Sequence, residues 1–329
     1  MIKVKLSTDF TYEPIIRQTP GRRGVWGDCQ FYINSPIDDC DYWVVYNGVS
    51  QPENAYCSPQ NTILITGEPP TITDYPAAYT RQFARVVTCH SHISHPRLIL
   101  NQTGLSWHTG RVLVDIKNGH SIINRDYDDF KDMHTLPKSK LMSVITSSKD
   151  FTEGHQKRLN FVRRLKDYFG EDIDVFGRGI REVDDKWDAI SPYKYHIALE
   201  NSVYPHYWTE KLADVYLSGA YPIYYGCPNL EDYFPGSSYT RINIDDGEGA
   251  IRTIQECIRE GRYEASLDGI IEARNMVMDR YNLFALIAEL VREPTATKKR
   301  IVVAAGQSVS SVVNYQAKAK ERISFYPQE

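Results

Sequence analysis

Apolar residues recur along this chain in two different patterns, which divide it near residue 138. In the first part the apolar runs are short, rich in β-branched or aromatic residues, and bounded by Gly, Pro or polar residues, as is typical of strands joined by loops. We predict strands in four of these runs, at 2–6, 42–48, 62–70 (ending in a loop) and 84–89. In the last three the apolarity is continuous rather than alternating, which indicates buried parallel strands.

After a linker at 136–140, strand patterns alternate with helix patterns. The predicted strands are 141–145, 172–176, 195–199, 221–225 and 240–245, and the predicted helices are 156–170, 209–220 and stretches within 249–292. Such alternation predicts an α/β fold with a parallel, doubly wound sheet. We therefore expect an N-terminal domain at 1–138, a C-terminal domain at 139–292, and a tail at 293–329 whose packing the pattern does not predict.

Composition narrows the class of protein. The 329 residues carry a net charge of -4, which gives no electrostatic basis for binding nucleic acid. No apolar run approaches the roughly 20 residues of a membrane-spanning helix, and the first residues lack the apolar stretch of a signal peptide. The six cysteines include no CxxC pair, so disulfides and zinc are disfavoured. These features predict a cytoplasmic protein, with peripheral contact with a membrane left open.

The carboxyl ends of parallel strands are where doubly wound sheets bind ligands. The segments after Ile145, Phe176, Leu199 and Tyr225 should therefore meet in one cleft. These segments are rich in groups that bind polar ligands.

The segment from Glu200 to Lys211 combines a strand end with a helix start. Glu200, Asn201 and Ser202 come directly after the predicted strand, and Thr209 is a suitable helix N-cap, with Glu210 and Lys211 in the first turn. A helix N-terminus favours an anion, and Lys211 adds a full positive charge, so the pair suits a diphosphate. Glu210 suits two sugar hydroxyls and Tyr207 a ring. The alternative is an ordinary acidic first turn with a surface lysine.

Further cationic and hydroxyl groups lie after the neighbouring strands. Arg158 and Arg178 could pair with phosphate oxygens, and Ser147, Ser148 and Lys149 could approach them. Alternatively, Arg158 is a solvated helix residue.

Histidines and a tryptophan in the first half are candidates for a second ligand. His90, His92 and His95 come after a predicted strand and could hold a metal or line an acceptor site. Trp107 and His108, in a predicted loop, could stack on a sugar, or Trp107 could belong to the core. No acidic partner lies near the histidines, so we predict no metal site and keep His90, His92 and Trp107 as acceptor-binding candidates.

Several ordered motifs resemble one enzyme family. YKYHIALENS, YWTEK, PIYYGCPN and EDYF, with DVFGRG and TSSKD upstream and NLF downstream, resemble the signature of the family 10 glycosyltransferases, the α-1,3/1,4-fucosyltransferases. The match covers about 143–235. A membrane anchor and the cysteine pairs of animal members are missing, so the chain resembles the soluble microbial or viral type.

The resemblance implies a GT-B fold, two facing Rossmann-like domains with a cleft between them, of which the C-terminal domain binds GDP-fucose and the N-terminal domain is on the acceptor side. It implies donor contacts at Tyr207, Glu210 and Lys211, a phosphate contact at Arg158, and a place beside the donor sugar for Glu200. The family's general base is a glutamate in a short loop of the N-terminal domain, which corresponds to Glu68 in ITGEPP.

The residues agree with that role for Glu68. It comes after a buried predicted strand, and an apolar wall could raise its pKa as a base requires. The alternative is a loop carboxylate before a Pro-Pro turn.

The implied reaction is an inverting transfer of L-fucose from GDP-fucose to a glycan hydroxyl, an α-1,3 linkage to the GlcNAc of an N-acetyllactosamine-like unit. No cofactor is expected to be required, because cations and a helix end can neutralise the diphosphate, and a divalent metal would at most stimulate. The alternatives are a GT-B transferase of another nucleotide sugar and an inactive relative that binds a sugar nucleotide.

Overall fold

The structure, a computed structural model, describes residues 1–11, 13–115, 120–146, 153–291, 297–305 and 309–310. Its described strands are β1 (Ile2–Thr8), β2 (Val25–Trp26), β3 (Cys29–Ile33), β4 (Tyr42–Tyr46), β5 (Glu53–Cys57), β6 (Thr62–Ile65), β7 (Thr73–Asp74), β8 (Arg85–Thr88), β9 (Leu98–Leu100), β10 (Arg111–Asp115), β11 (His120–Ile123), β12 (Lys140–Ile145), β13 (Ile173–Phe176), β14 (Tyr193–Leu199), β15 (Tyr221–Tyr225), β16 (Thr240–Arg241), β17 (Lys299–Val303) and β18 (Val309–Ser310). The described α-helices are α1 (Ala77–Thr80), α2 (Tyr127–Lys131), α3 (Glu153–Phe169), α4 (Lys186–Ile190), α5 (Glu210–Leu217), α6 (Gly247–Arg259), α7 (Arg262–Ala265), α8 (Leu267–Asp279) and α9 (Leu283–Leu290).

The first half contains a seven-stranded sheet in the order β2-β3-β1-β4-β6-β8-β9. All of its pairings are parallel except that of β2 with β3. The runs YWVVY of β4 and TILI of β6 are buried along their whole length, as expected for strands covered on both faces.

The second half contains a five-stranded, fully parallel sheet in the order β13-β12-β14-β15-β16. Helices pack against it because their apolar residues recur at helical spacing. In α3 these are Leu159, Val162 and Leu165, all of which lie in the core of this half.

Both sheets reverse their order at the first strand. The chain passes from β1 to β3 on one side and then to β4 on the other, and from β12 to β13 and then to β14. A crevice at the carboxyl end of the sheet forms at such a switch point, and it is the usual ligand site of doubly wound folds.

The loops after the strands of the two halves contact each other. Thr71 Oγ1, after β6, lies 2.5 Å from Ser202 Oγ, after β14. The backbone N–H of Gln102, after β9, donates to the hydroxyl of Tyr233, after β15, at 3.2 Å. The carboxyl ends of the two sheets therefore face a shared cleft, and the predicted α/β class and GT-B architecture are confirmed.

The predicted domain boundaries assign each of two segments to one half, but each segment packs in the core of the other half. Trp107 and Phe130 belong to the core of the second half. Helix α9 packs through Leu283 and Phe284 with Val4 of the first half. The domain boundaries themselves stay a prediction.

The part of the tail that the structure describes also joins the first half. Strand β17 pairs antiparallel with β5, and β18 pairs antiparallel with β7. Within the described ranges, no helix is both long enough and apolar enough to cross a membrane.

Candidate functional site

A cavity of about 260 Å³ occupies the switch point of the second sheet. Its walls come from the ends of β12, β13 and β14, the start of α3 and the first turns of α5. Among the lining residues are Thr146, Arg158, Arg178, Asn201, Glu210 and Lys211.

The N-terminus of α5 is fixed by a buried carboxylate. Thr209 is its N-cap, and its hydroxyl accepts from the backbone N–H of Lys211 at 3.2 Å. Glu200, directly after β14, accepts from both the backbone N–H and the hydroxyl of Thr209, each at 2.8 Å. Both oxygens of the buried Glu200 side chain bond Thr209, so Glu200 holds the helix start, and Glu200 also lines the neighbouring second cavity.

Lys211 and Glu210 place opposite charges at this helix start. Lys211 Nζ lies 3.2 Å from a carboxylate oxygen of Glu210 and 3.5 Å from one of Glu200. Burial lowers the pKa of Lys211, but the two carboxylates outweigh it and raise that pKa above its usual value. Lys211 is therefore a cation at neutral pH.

Glu210 keeps its negative charge for a similar reason. Burial raises its pKa, but the positive charges of Lys211, His108 and Lys186 together hold the pKa of Glu210 well below its usual range. An ionised carboxylate accepts hydrogen bonds only, so Glu210 can bind hydroxyl donors of a ligand.

Arg158 enters the cavity from α3. Its side chain is buried, and its Nε has no hydrogen-bond partner in the described part of the chain. Burial lowers the pKa of Arg158 and the charges of Glu200 and Glu210 offset part of this, so the guanidinium remains charged. Because Arg158 is buried, the predicted alternative of a solvated helix residue is wrong. A buried cation without a full set of hydrogen-bond partners suits an anionic ligand.

The other predicted donor residues occupy different depths of the site. Arg178 is exposed at the rim of the cavity, just after a glycine, Gly177, at φ 136. Asn201 lines the cavity, and its buried Oδ1 lacks a hydrogen-bond partner among the described residues. Ser202 contacts Thr71 of the other half. Ser147 and Lys149, like Ser148, lie outside the described residues.

Tyr207 precedes the N-cap and is buried. Burial, with the negative charges of Glu200 and Glu68, raises the pKa of its hydroxyl well above the ordinary value, so the phenol stays protonated and can donate. The charge of Glu68 contributes here although Glu68 belongs to the first half, because the two halves meet at this point.

Glu68 stands across the cleft from the α5 helix start. Burial raises the pKa of Glu68, Glu210 and Asp9 raise it further, and Lys211 offsets part of the rise. A raised pKa makes a carboxylate a better proton acceptor, as a general base requires.

A second cavity of about 470 Å³ lies next to the first, between the two halves. Thr71 and Ile72 of the first half line it together with Asn201, Tyr204 and Tyr225 of the second. A ligand that extends from the first cavity toward the first half would pass through it.

Two of the three acceptor-binding candidates are buried. His90 is fully buried, and its Nε2 donates to the backbone carbonyl of Glu68 at 2.8 Å. Trp107 is buried in the second core with its ring against Phe130. Neither ring can stack on an acceptor sugar, so these two expectations are wrong, because tertiary packing consumed both side chains. His92 is exposed and lies 3.6 Å from Asp74.

His108, unlike its neighbour Trp107, reaches the α5 helix start. Its Nε2 lies 3.1 Å from a carboxylate oxygen of Glu13, and its Nδ1 lies 3.8 Å from one of Glu210. The imidazole therefore joins the first half to the second beside the ligand cavity.

Two residues near the site, Glu13 and Lys186, were not found from the sequence. Glu13 reaches the site through His108, and Lys186 Nζ lies 3.1 Å from Asp214 and 3.7 Å from Glu210. Neither belongs to a motif. Only the fold brings Glu13, about two hundred residues away in sequence, close to Glu210.

No group of three or more metal-ligating side chains occurs in the ranges that the structure describes. The histidines of HSHISH have different partners: His95 bonds the backbone carbonyl of Phe83, and His90 bonds that of Glu68.

Comparison with known proteins finds similarity in this region of the chain. Residues 135–250 match the model described as glycosyltransferase family 10 (fucosyltransferase), C-terminal. The chain is similar to alpha-(1,3)-fucosyltransferase B of Drosophila melanogaster, with 42% identity over 150 residues, 40% of this chain and 32% of that protein. It is also similar to alpha-(1,3)-fucosyltransferase 4 of Bos taurus, with 32% identity over 116 residues, 33% of this chain and 27% of that protein.

The matched segments span about a third or less of these curated relatives. Among solved structures, one described as an alpha1,3-fucosyltransferase with GDP has 16% identity and a TM-score of 0.48, and covers 86% of this chain and 93% of that chain. The sequence matches confirm the predicted resemblance: residues 135–250 of this chain are similar to the C-terminal domain of glycosyltransferase family 10.

Proposed function

We propose that this protein transfers L-fucose from GDP-fucose to a hydroxyl of a glycan acceptor, with inversion at the anomeric carbon. The observation that carries the proposal is the cavity at the second switch point, where Arg158 and Lys211 meet the N-terminus of α5. The relatives that share this region are named as α-1,3-fucosyltransferases, which supports fucose as the sugar and the α-1,3 linkage.

The diphosphate binds where positive charge is concentrated. Arg158 and Lys211 supply two cations, and the dipole of α5 adds a partial positive charge at its N-terminus. These groups stabilise the negative charge that develops on the departing GDP, so the proposed reaction does not require a bound metal ion.

The nucleotide sugar is held by the groups around that anion site. Ionised Glu210 accepts hydrogen bonds from sugar hydroxyls, and the protonated Tyr207 donates one. Glu200 fixes Thr209 and thereby the helix start, and from the wall of the second cavity it lies beside the proposed place of the donor sugar.

Glu68 is the proposed general base. It removes the proton from the acceptor hydroxyl as that oxygen attacks the anomeric carbon, and the carbon–oxygen bond to GDP breaks on the opposite face. The acceptor would approach through the second cavity, between the halves, with a terminal N-acetyllactosamine-like unit as the proposed acceptor class.

The first test is nucleotide binding by calorimetry, with GDP, GDP-fucose, GDP-mannose and UDP. We expect guanine-selective binding that weakens roughly tenfold or more in Lys211→Ala, because a charge-assisted contact is lost. Lys194→Ala is the matched control, since Lys194 is a partly exposed lysine of the same sheet that pairs with Glu264.

Transfer itself is tested with GDP-fucose and N-acetyllactosamine, and NMR of the product reports its anomeric configuration. Binding of GDP without any turnover would favour an inactive relative, and preference for GDP-mannose would favour another donor. Absence of nucleotide binding by the folded wild type would overturn the proposal.

A further inference from the structure

The switch point of the first sheet is filled by protein side chains. Asp9 lies after β1 and Asn47 after β4, and the amide of Asn47 donates to both oxygens of Asp9, at 2.9 and 3.1 Å. Asn47 has a φ of 64, in the left-handed region that asparagine tolerates better than most residues. This conformation places the Asn47 side chain between two neighbouring strand ends.

Tyr75 connects Asn47 to the Glu68 loop. Its buried hydroxyl donates to Oδ1 of Asn47 at 2.6 Å. The hydroxyl oxygen of Tyr75 in turn accepts from the backbone N–H groups of Gly67, at 3.1 Å, and Glu68, at 3.4 Å. A continuous chain of hydrogen bonds therefore runs from the carboxylate of Asp9 to the backbone of Glu68.

The carbonyl of Glu68 is held from the other side. His90 donates to it through Nε2 at 2.8 Å, and burial lowers the pKa of His90, which keeps its ring neutral. Because both backbone groups of Glu68 are bonded to buried side chains, its position is set from within the first half.

We propose that Asp9, Asn47, Tyr75 and His90 are positioning residues that hold Glu68 toward the acceptor hydroxyl. The inference rests on the proposed function, in which Glu68 is the base. None of the four needs to touch a substrate, since all of them act through the backbone or the charge surrounding Glu68.

The negative charge of Asp9 also contributes to the raised pKa of Glu68. Several titratable groups face Glu68, from both halves of the molecule: Asp9, Tyr46, Tyr75, Cys89, His90, Tyr207, Glu210 and Lys211. Burial is the largest cause of the raised pKa of Glu68, and the charge of Asp9 adds to it. Neutralising Asp9 should therefore lower the pKa of Glu68.

The positioning role is tested with Tyr75→Phe. The loss of the hydroxyl should reduce kcat roughly tenfold to a hundredfold, because a small displacement of a catalytic group is costly, with GDP affinity unchanged. Amide exchange at Gly67 and Glu68 should become faster. Tyr79→Phe is the matched control, since the Tyr79 hydroxyl is buried nearby without a hydrogen-bond partner in the described ranges.

The electrostatic role is tested with Asp9→Asn, which retains an acceptor for Asn47 and removes the charge. Carbon-13 NMR titration of the Glu68 carboxyl, assigned by comparison with Glu68→Gln, should show a lower pKa. A base is lost as pH falls through its pKa, so the acidic limb of kcat/KM should move to lower pH. Asp28→Asn removes an exposed charge from the same half and should leave both unchanged.

The outcomes separate this inference from the proposed function. Faster amide exchange and a shifted Glu68 titration support the positioning set even if the wild type transfers no fucose, which would overturn only the proposed function. If Glu68 titrates unchanged in Asp9→Asn, and Tyr75→Phe leaves both amide exchange and kcat unchanged, the positioning set is overturned.

Discussion

The two sheets of this molecule have the same switch-point topology, but their crevices differ in content. In the second sheet the crevice is open and lined by Arg158 and Lys211. In the first sheet the equivalent place is closed by Asp9 and Asn47, bonded to each other. Topology thus provides two equivalent crevices, and the side chains decide which of them receives a ligand.

The difference begins with the segment that each strand leads into. In the second half, β14 leads into the N-terminus of α5, whose helix dipole, together with Lys211 in its first turn, favours an anion. In the first half, β1 and β4 lead into turns whose polar side chains satisfy one another. In the proposed function, the second crevice binds the donor, and the first holds Glu68 in place.

The largest effect expected from this comparison is on turnover in Glu68→Ala. Removing a general base should lower kcat roughly a hundredfold to ten-thousandfold, while calorimetric GDP affinity stays unchanged. Lys211→Ala should show the complementary behaviour, with weaker GDP binding. A Glu68→Ala enzyme with near wild-type kcat would remove Glu68 from the role of base.

A smaller effect is expected on unfolding free energy when a methyl group is added to each crevice, and the two crevices should differ in the size of the loss. In Gly177→Ala the new Cβ would lie 1.6 Å from the backbone oxygen of Thr146, at a φ of 136, so we expect a loss of about 3 kcal/mol or more in unfolding free energy. In Gly67→Ala the Cβ would lie 2.7 Å from the Phe10 ring. Because that side chain can shift, we expect a smaller loss in unfolding free energy, of about 1–2 kcal/mol.

Chemical denaturation of both glycine variants provides the measurement. Gly170→Ala is a control for positive φ alone, since its Cβ would have no neighbour within 4 Å. Equal losses in Gly67→Ala and Gly177→Ala would contradict the expectation that a clash with backbone costs more than a clash with a side chain.

The smallest effect is expected for His92→Ala. His92 is exposed and its partner Asp74 is exposed too, so the change in unfolding free energy should stay within about 0.5 kcal/mol. If His92 binds the acceptor, the KM for the acceptor rises while GDP affinity does not change. An unchanged acceptor KM would remove the last of the predicted acceptor contacts.

Periodicity was sufficient for the regular parts of the fold. The predicted strands of the second half correspond to β12–β16, and the predicted helices at 156–170 and 209–220 correspond to α3 and α5. Among the strands not predicted, β3 (CQFYI) and β5 (ENAYC) are short, with polar residues between apolar ones, so their local pattern is weak.

The site was predictable where it is local in sequence. Glu200, Thr209 and Lys211 belong to a strand end followed by a helix start, and they do meet. Glu68 and His108 reach the same cleft only through the packing of the two halves, so their proximity to Glu210 could not be deduced from spacing.

Burial explains the failures at His90 and Trp107. Both look like exposed loop residues in sequence, but the fold surrounds each with partners from distant segments. Whether an aromatic ring becomes core or surface depends on these long-range contacts, which a local sequence pattern does not encode.

The packing of α9 in the first core has a consequence for synthesis of the chain. Leu283, Phe284 and Ile287 complete a core whose other members include Val4 and Leu6. On the ribosome, the first sheet is therefore made without its covering helix. At a synthesis rate of roughly 5–20 residues per second, it must wait on the order of ten seconds or more after residue 138. During that interval an apolar face of the nascent sheet is uncovered and available to chaperones, and the half that begins the chain is the last to close.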